Sequence, residues 1–252
     1  MTIKEEQHNI EIHQNLHYWD KKPVLQKIYN QFYKLIAREV NQNLEGEIVE
    51  LGSGIGNLKT EIPKCICTDI FFNPWIDQTE NAYKLSFSDQ SVSNLILFDV
   101  WHHLEFPGTV LQEFERVLKP GGRVIIFDPA ISVLGSLVYG LFHHEPISFM
   151  KKISWLAPLG FSYKNASYYA AQGNATRIFK FNKYRQYFSN WNVVKVKTFS
   201  AISYVASGGY SGRQLYPDSF FSKMKYIDKI CNLFPLFFAT RILVVLEKRD
   251  NS

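Results

Sequence analysis

Three glycines at alternate positions, Gly52, Gly54 and Gly56, follow the short apolar run Ile48-Val49-Glu50-Leu51. Glycines spaced this way after a buried strand allow positive φ and let a ligand approach the backbone where a Cβ would block it. The segment therefore reads as a cofactor loop or, more plainly, as an ordinary strand-to-helix turn. Asn57 stands where the dinucleotide fingerprint G-x-G-x-x-G requires its third glycine, and Glu50 precedes the turn. A carboxylate there repels phosphate, yet it can order water or pair with the ammonium of an amino-acid ligand. The expected cofactor is cationic and free of phosphate. Asp69, seventeen positions beyond Gly52, ends the next apolar run and is placed either to accept from both hydroxyls of a ribose or to close a turn.

Histidines supply the candidate proton chemistry. His102-His103 and His143-His144, the latter followed by Glu145, fall after apolar runs. Imidazole is the side chain best matched to general-base work near neutral pH. Each pair can equally serve as a structural hydrogen-bonding unit or substrate anchor. Adjacent histidines rarely ligate one ion and no His-x-x-x-His accompanies them, so no metal site is expected. Asp128-Pro129 either faces a substrate or turns the chain at a strand end.

These residues need a sheet to bring them together. The runs Ile48 to Leu51, Cys65 to Asp69, Ser93 to Asp99 and Arg123 to Asp128 suit parallel strands covered on both faces. Between the last two, Val110, Leu111, Phe114, Val117 and Leu118 form a helical stripe closed by Pro120-Gly121-Gly122. Alternation of strand and helix predicts an α/β parallel sheet. Val24, Ile28, Phe32, Leu35 and Ile36 predict an amphipathic helix from about Trp19 to Val40. Beyond Pro129 the rhythm breaks, resumes with a helix near Tyr184 to Phe188 and a strand Val193 to Phe199, breaks again from Ala201 to about Phe238, and closes on a strand, Arg241 to Glu247. The predicted organisation is one domain over 1–252: a helical segment 1–45, a cofactor-binding core 46–128, and insertions 129–181 and 201–240 that form a substrate lid.

Composition narrows the partners. With 46% hydrophobic and 20% charged residues the chain has ample apolar surface for one core and is not of the disordered class. A net charge of +5 without long charge blocks gives little support to nucleic-acid binding. Cys65, Cys67 and Cys231 have neither disulfide-framework nor zinc spacing, so a reducing cytoplasm is expected, with Cys65 and Cys67 sharing one strand face. Lys4, Glu5 and Glu6 before any apolar run do not make a signal peptide. No run reaches the roughly 20 apolar residues of a membrane span. The basic, aromatic stretch Lys223 to Arg241 can alternatively rest on a membrane surface.

Taken in order, ELGSGIG, TDI, NAYKLSF, DVWHHL and RVLKPGGRVIIFDP resemble the class I S-adenosylmethionine-dependent methyltransferases of the type 11 sort, over Ile48 to Asp128. The resemblance implies a Rossmann-like fold with a seven-stranded, mostly parallel sheet and helices on both faces, and S-adenosylmethionine as cofactor. It implies that Glu50, Gly52, Ser53, Gly54, Gly56, Asp69 and Ile70 bind the cofactor, with Asp69 at the ribose. Asn81-Ala82 replaces the family's Asp-Ala pair at the adenine, where an amide oxygen can still accept. Asp99, Val100 and Trp101 are implied beside the methionine moiety, although core packing also accounts for Trp101. His103 is implied beside the acceptor, with His143 and His144 as further catalytic candidates in the lid. Asp99-Val100-Trp101-His102 lacks the Asn/Asp-Pro-Pro-aromatic clamp of nucleic-acid amino-methyltransferases, which argues against a base as acceptor. Tyr168, Tyr169, Phe179, Tyr204 and Tyr210 in the insertions suit a small, hydrophobic or aromatic, or lipid-like acceptor. A non-catalytic S-adenosylmethionine-binding or scaffold protein is the alternative.

Overall fold

Pro23 divides the amino-terminal helical stretch in two. The computed structural model, which describes residues 3–141, 152–165 and 169–250, has helix α1 over Ile3–Lys21 and helix α2 over Pro23–Ala37. This corrects the single helix expected from Trp19: proline lacks the N–H that would continue α1, and its fixed φ suits the first position of α2. α2 buries Val24, Leu25, Ile28, Phe32 and Ile36 on one stripe.

Six strands follow the expected runs, β1 (Glu47–Leu51), β2 (Cys65–Asp69), β4 (Val92–Phe98), β5 (Leu118–Pro129), β6 (Trp191–Ser200) and β7 (Ala239–Lys248), although β5 starts at Leu118 and takes in the expected helix end Pro120-Gly121-Gly122; β3 (Gln78–Thr79) was not expected. They form one seven-stranded sheet in the order β3-β2-β1-β4-β5-β7-β6. β3, β2, β1, β4 and β5 are parallel, while β7 runs antiparallel to both β5 and β6. Every residue of β4 is buried, because both faces of this central strand are covered. Leu95 and Leu97 join the core under helix α3 (Pro107–Val117), whereas Ile96 and Phe98 join the core under α2. Cys65 and Cys67 are both buried on β2, as their two-residue spacing requires.

The stretches expected to be irregular are partly helical. The first contains α4 (Val133–Leu141), the second α5 (Ile202–Ser207), α6 (Phe221–Cys231) and α7 (Pro235–Phe238). The first stretch passes over α3, where Gly108 N donates to Trp155 O at 2.8 Å, and reaches the end of β4, where Ala171 N donates to His102 O at 2.9 Å. Trp155 stacks there on Tyr187 at 4.6 Å. The second lies on the α2 side, with Tyr204 and Tyr210 packed against that core. The two stretches thus flank the edge at which β1, β2, β4 and β5 all end.

Candidate active site

In an open parallel sheet, the crevice beyond the carboxyl ends of the strands, at the point where strand order reverses, is where ligands bind. Here that point lies between β1 and β4, and β1 leads straight into the glycine turn. Gly52, Gly54 and Gly56 all adopt left-handed backbone, with φ of 69°, 55° and 66°. Two of them are also forced by close approach. A Cβ on Gly52 would lie 2.4 Å from Val100 Cγ2, and one on Gly56 would lie 2.5 Å from the Trp75 carbonyl oxygen. Ser53 ties the turn to β2, donating its N–H to Thr68 O at 2.8 Å and accepting from Thr68 N at 3.0 Å through Oγ.

Asp69 faces this turn. Its Oδ2 accepts from Gly54 N at 3.0 Å, while its Oδ1 accepts from Ile70 N at 2.7 Å and lies 3.2 Å from His8 Nε2. The Ile70 side chain is 49% exposed, so its tie to Asp69 is through the backbone. A carboxylate offers about four acceptor positions, of which three are engaged. A ribose diol takes two, so accepting from both its hydroxyls requires His8 to withdraw. Beneath the turn, Glu50 is buried with Cys67 Sγ 3.7 Å from Oε2, and burial raises its pKa well above the usual carboxylate range.

Helix α1 covers the turn, which no sequence signal anticipated. Its polar residues leave Ile12 as the one buried apolar side chain among the described residues of α1, and Ile12 Cδ1 sits 3.6 Å from where a Cβ on Gly54 would be. His8 and His13 set their rings edge-on to Phe71 and Trp75. Burial lowers the pKa of His8, but the hydrogen bond and charge of Asp69, with Glu11 assisting, outweigh it and leave a net rise. At the α1–α2 junction, Lys22 Nζ donates to the carbonyls of Gly212, Gly209 and Ser207 at 2.6, 2.8 and 3.1 Å. The Ser207-to-Gly212 loop closes tightly around this ammonium, with Gly208 at φ 71° and Gly209 at φ 49°.

At the ends of β4 and β5 the expected residues separate into two groups. Asp99 adopts left-handed backbone at φ 58° and pairs with Arg241 of β7. That guanidinium is 2% exposed and lies 4.5 Å from the Tyr204 ring centre, with Phe32, Phe98 and Phe127 also around it. Burial raises the pKa of Asp99, opposed chiefly by the charge of Arg241. Val100 is half-buried against Gly52, beside the turn. Trp101, 1% exposed, packs on Phe179 at 5.2 Å within the core, the alternative to its expected place beside the methionine moiety.

The adjacent histidines have different surroundings. His102 is buried with Nδ1 2.9 Å from Asp128 Oδ1. Asp128 is itself fully buried at the end of β5. His103 is half-buried, and its Nδ1 lies 3.0 Å from the Tyr169 carbonyl oxygen. A carbonyl can only accept, so Nδ1 carries the proton and the basic lone pair is on Nε2. Asn81 Oδ1 accepts from Tyr83 N at 3.0 Å and has a second lone pair. Ala82 is half-buried against the α3-side core. His143, His144 and Tyr168 lie outside the described residues. Among the described residues no three His, Cys, Asp or Glu side chains gather as a metal-binding set, and no helix is long and apolar enough to cross a membrane.

No curated protein matches the chain in sequence. The family model Methyltransf_11, described as a methyltransferase domain, matches residues 50–126. Among solved structures, a candidate methyltransferase of Haloferax volcanii, in complex with the Trm112 methyltransferase activator, is 14% identical with a TM-score of 0.50, over 87% of this chain and 89% of that one. YcgJ of Bacillus subtilis is 15% identical with a TM-score of 0.49, over 88% of this chain and all of that one. Geranyl diphosphate C-methyltransferase of Streptomyces coelicolor, solved with Mg2+ and S-adenosyl-L-homocysteine, is 10% identical with a TM-score of 0.49, over 87% and 76%. At such identities a structural likeness speaks for the fold alone. The match over 50–126 begins at Glu50 and runs through the glycine turn, Asp69 and β4 into β5, so this segment is similar to the methyltransferase domain and the sheet built on it has the Rossmann-like fold of the class I S-adenosylmethionine-dependent methyltransferases.

Proposed function

We propose that the chain transfers a methyl group from S-adenosylmethionine to a small or lipid-like acceptor, with S-adenosylhomocysteine as the second product. The observation that carries this reading is the pairing of Asp69 with the glycine turn above a buried Glu50, a set that accepts hydroxyls and cations and repels phosphate. When bound, the cofactor supplies an electrophilic methyl group on a sulfonium. The chain's own contribution is to align the partners in a water-poor crevice, since an in-line displacement gains most of its rate from positioning.

Asp69 would hold the ribose once His8 yields its place, and Asn81 has a lone pair for the adenine amino group. Ionisation of buried Glu50 is disfavoured alone and favoured beside an ammonium. Asp99 and Val100 would border the methionine part. His103 presents Nε2 as the base for an acceptor hydroxyl, because the Tyr169 carbonyl fixes its tautomer. Tyr29, Tyr204 and Tyr210, whose pKa values burial raises, remain neutral phenols around Asp99 and suit an apolar or ring-bearing acceptor. Calorimetry with S-adenosylhomocysteine tests the cofactor site: a heat of binding to folded protein supports it, and silence from folded protein overturns it. Incubation of an extract and its lipids with methyl-labelled donor then reads the acceptor, with His103→Ala as the control that loses turnover and keeps cofactor affinity.

A further inference from the structure

The segment from Phe220 to Phe238 exposes more apolar surface than the fold uses. α6 turns Phe221, Met224, Asp228 and Cys231 inward at the three- and four-residue spacing of a packed helix face, although none of its side chains is fully buried. Its other side is apolar as well. Tyr226, Ile230, Leu233, Phe234, Leu236 and Phe237 are each 45–73% exposed along α6, the following turn and α7. The patch continues onto α4, where Val133 and Leu137 stand one turn apart, 64% and 51% exposed. Ser132 Oγ donates to Phe237 O at 3.2 Å, which fixes α4 beside α7. A contiguous exposed patch of this kind marks an interaction surface.

The charge around it has one sign. Lys223, Lys225 and Lys229 are exposed, and Lys223 lies 4.3 Å from the Phe220 ring centre. Asp228, the acid of α6, is turned inward and accepts from Ser203 N at 3.1 Å and from Ser203 Oγ. Asp218, before α6, accepts from Gln214 Nε2 at 2.8 Å. The complement must therefore be broad, apolar and anionic together. A second copy of the chain meets this poorly, because an isologous contact sets the same lysines opposite one another. Exposed aromatic and aliphatic side chains beside lysines, on α6 and α7, where no side chain is fully buried, match an acidic membrane interface.

We propose that α4, α6 and α7 dock the protein on an anionic lipid bilayer, with the Leu233-to-Phe237 tip in the acyl boundary and Lys223, Lys225 and Lys229 on the lipid phosphates. Arg241, three residues beyond Phe238, pairs with Asp99, so docking places the crevice beside the bilayer. The proposal stands apart from methyl transfer, and its test reads lipid binding alone. The full chain is floated with vesicles of phosphatidylcholine and with vesicles of equal parts phosphatidylcholine and phosphatidylglycerol. The expected result is strong flotation with the anionic vesicles and weak flotation with the neutral ones. Changing Lys223, Lys225 and Lys229 to Gln lowers partitioning onto anionic vesicles about 100-fold, from roughly fivefold per basic residue. Leu233→Asp with Phe237→Asp lowers it on both vesicle types. Thermal unfolding near the parent's confirms that the variants fold, and if the aspartate pair does not, the lysine set still decides. Parent protein that floats with neither vesicle, or lysine variants that bind as the parent does, would overturn the proposal. So would a dimer in sedimentation velocity that Leu233→Asp dissolves, because the face would then belong to a second copy.

Discussion

Replacing Gly52 by alanine separates the two reasons for glycine at the head of the cofactor turn. The first is conformational: φ at Gly52 is 69°, and a left-handed residue with a Cβ costs about 1–2 kcal/mol. The second is spatial. The new Cβ would lie 2.4 Å from Val100 Cγ2, where ordinary contact begins at 3.4 Å. Valine is stiff at χ1, so relief comes from a poor rotamer or a backbone shift, at about 1–3 kcal/mol. Together Gly52→Ala should destabilise the domain by about 2–5 kcal/mol, the sum of the two effects. Val100→Ala removes the overlap and leaves the dihedral strain. Urea unfolding of the parent, both single variants and the double variant should therefore show a double variant less destabilised than additivity by about 1–3 kcal/mol, the overlap alone. Calorimetry with S-adenosylhomocysteine follows the same four proteins, with weakened binding expected wherever Gly52 is replaced. A Gly52→Ala protein within about 0.5 kcal/mol of the parent, or additivity to within that margin, would refute this account of the turn.

Asp69→Ala should weaken S-adenosylhomocysteine about 100-fold or more, since two hydrogen bonds to a carboxylate contribute roughly 1.5–3 kcal/mol each; near-parent affinity by calorimetry would remove Asp69 from the site. His8 has a raised pKa, so its bond to Asp69 is strongest below pH 6.5 and is lost as pH rises through the raised value. Because His8 must yield to the ribose, S-adenosylhomocysteine should bind several-fold tighter above that window than below it, and His8→Gln should flatten the profile. Arg241→Met leaves Asp99 unpaired, and as the Asp99 side chain is still 30% exposed the loss should fall below the roughly 3–5 kcal/mol of a fully buried pair. That deficit, read by urea unfolding, should shrink on acidification, because burial already raises the pKa of Asp99 and a neutral carboxyl needs no partner.

The strands were legible because a strand covered on both faces must be apolar throughout, as β4 is from Val92 to Phe98. The glycine turn was legible because its left-handed backbone and close approaches call for glycine, and Asp69 because it ends the next apolar run. α1 was not, since a helix that buries little besides Ile12 has no apolar stripe to count. α6 escaped by the opposite route. With Asp228 on its inward side and Tyr226, Ile227 and Ile230 on its exposed one, its helical period is blurred and the stretch reads as irregular. Arg241 reads in the sequence only as the first residue of the last strand and the end of a basic, aromatic stretch. Its meaning depends on the antiparallel register that sets it opposite Pro129, beside the end of β4, which no local pattern encodes. The inward turn of Trp101 and Asp128 was not legible, because position at a strand end does not say which way a side chain turns.

The Lys22 ammonium, held by three carbonyls of the 207–212 loop, sits at the root of the helix that covers Gly54 and Asp69. One side chain thereby joins the cover of the cofactor crevice to the loop that carries Tyr210. Motion of α1 at its root strains those bonds, and motion of the loop pulls on α1. With the cofactor in the crevice and the acceptor against the Tyr210 loop, as proposed, such a tie would make their occupancies two terms of a single linked equilibrium. By thermodynamic reciprocity, whatever factor the cofactor applies to acceptor affinity through this joint, the acceptor must return to the cofactor unchanged.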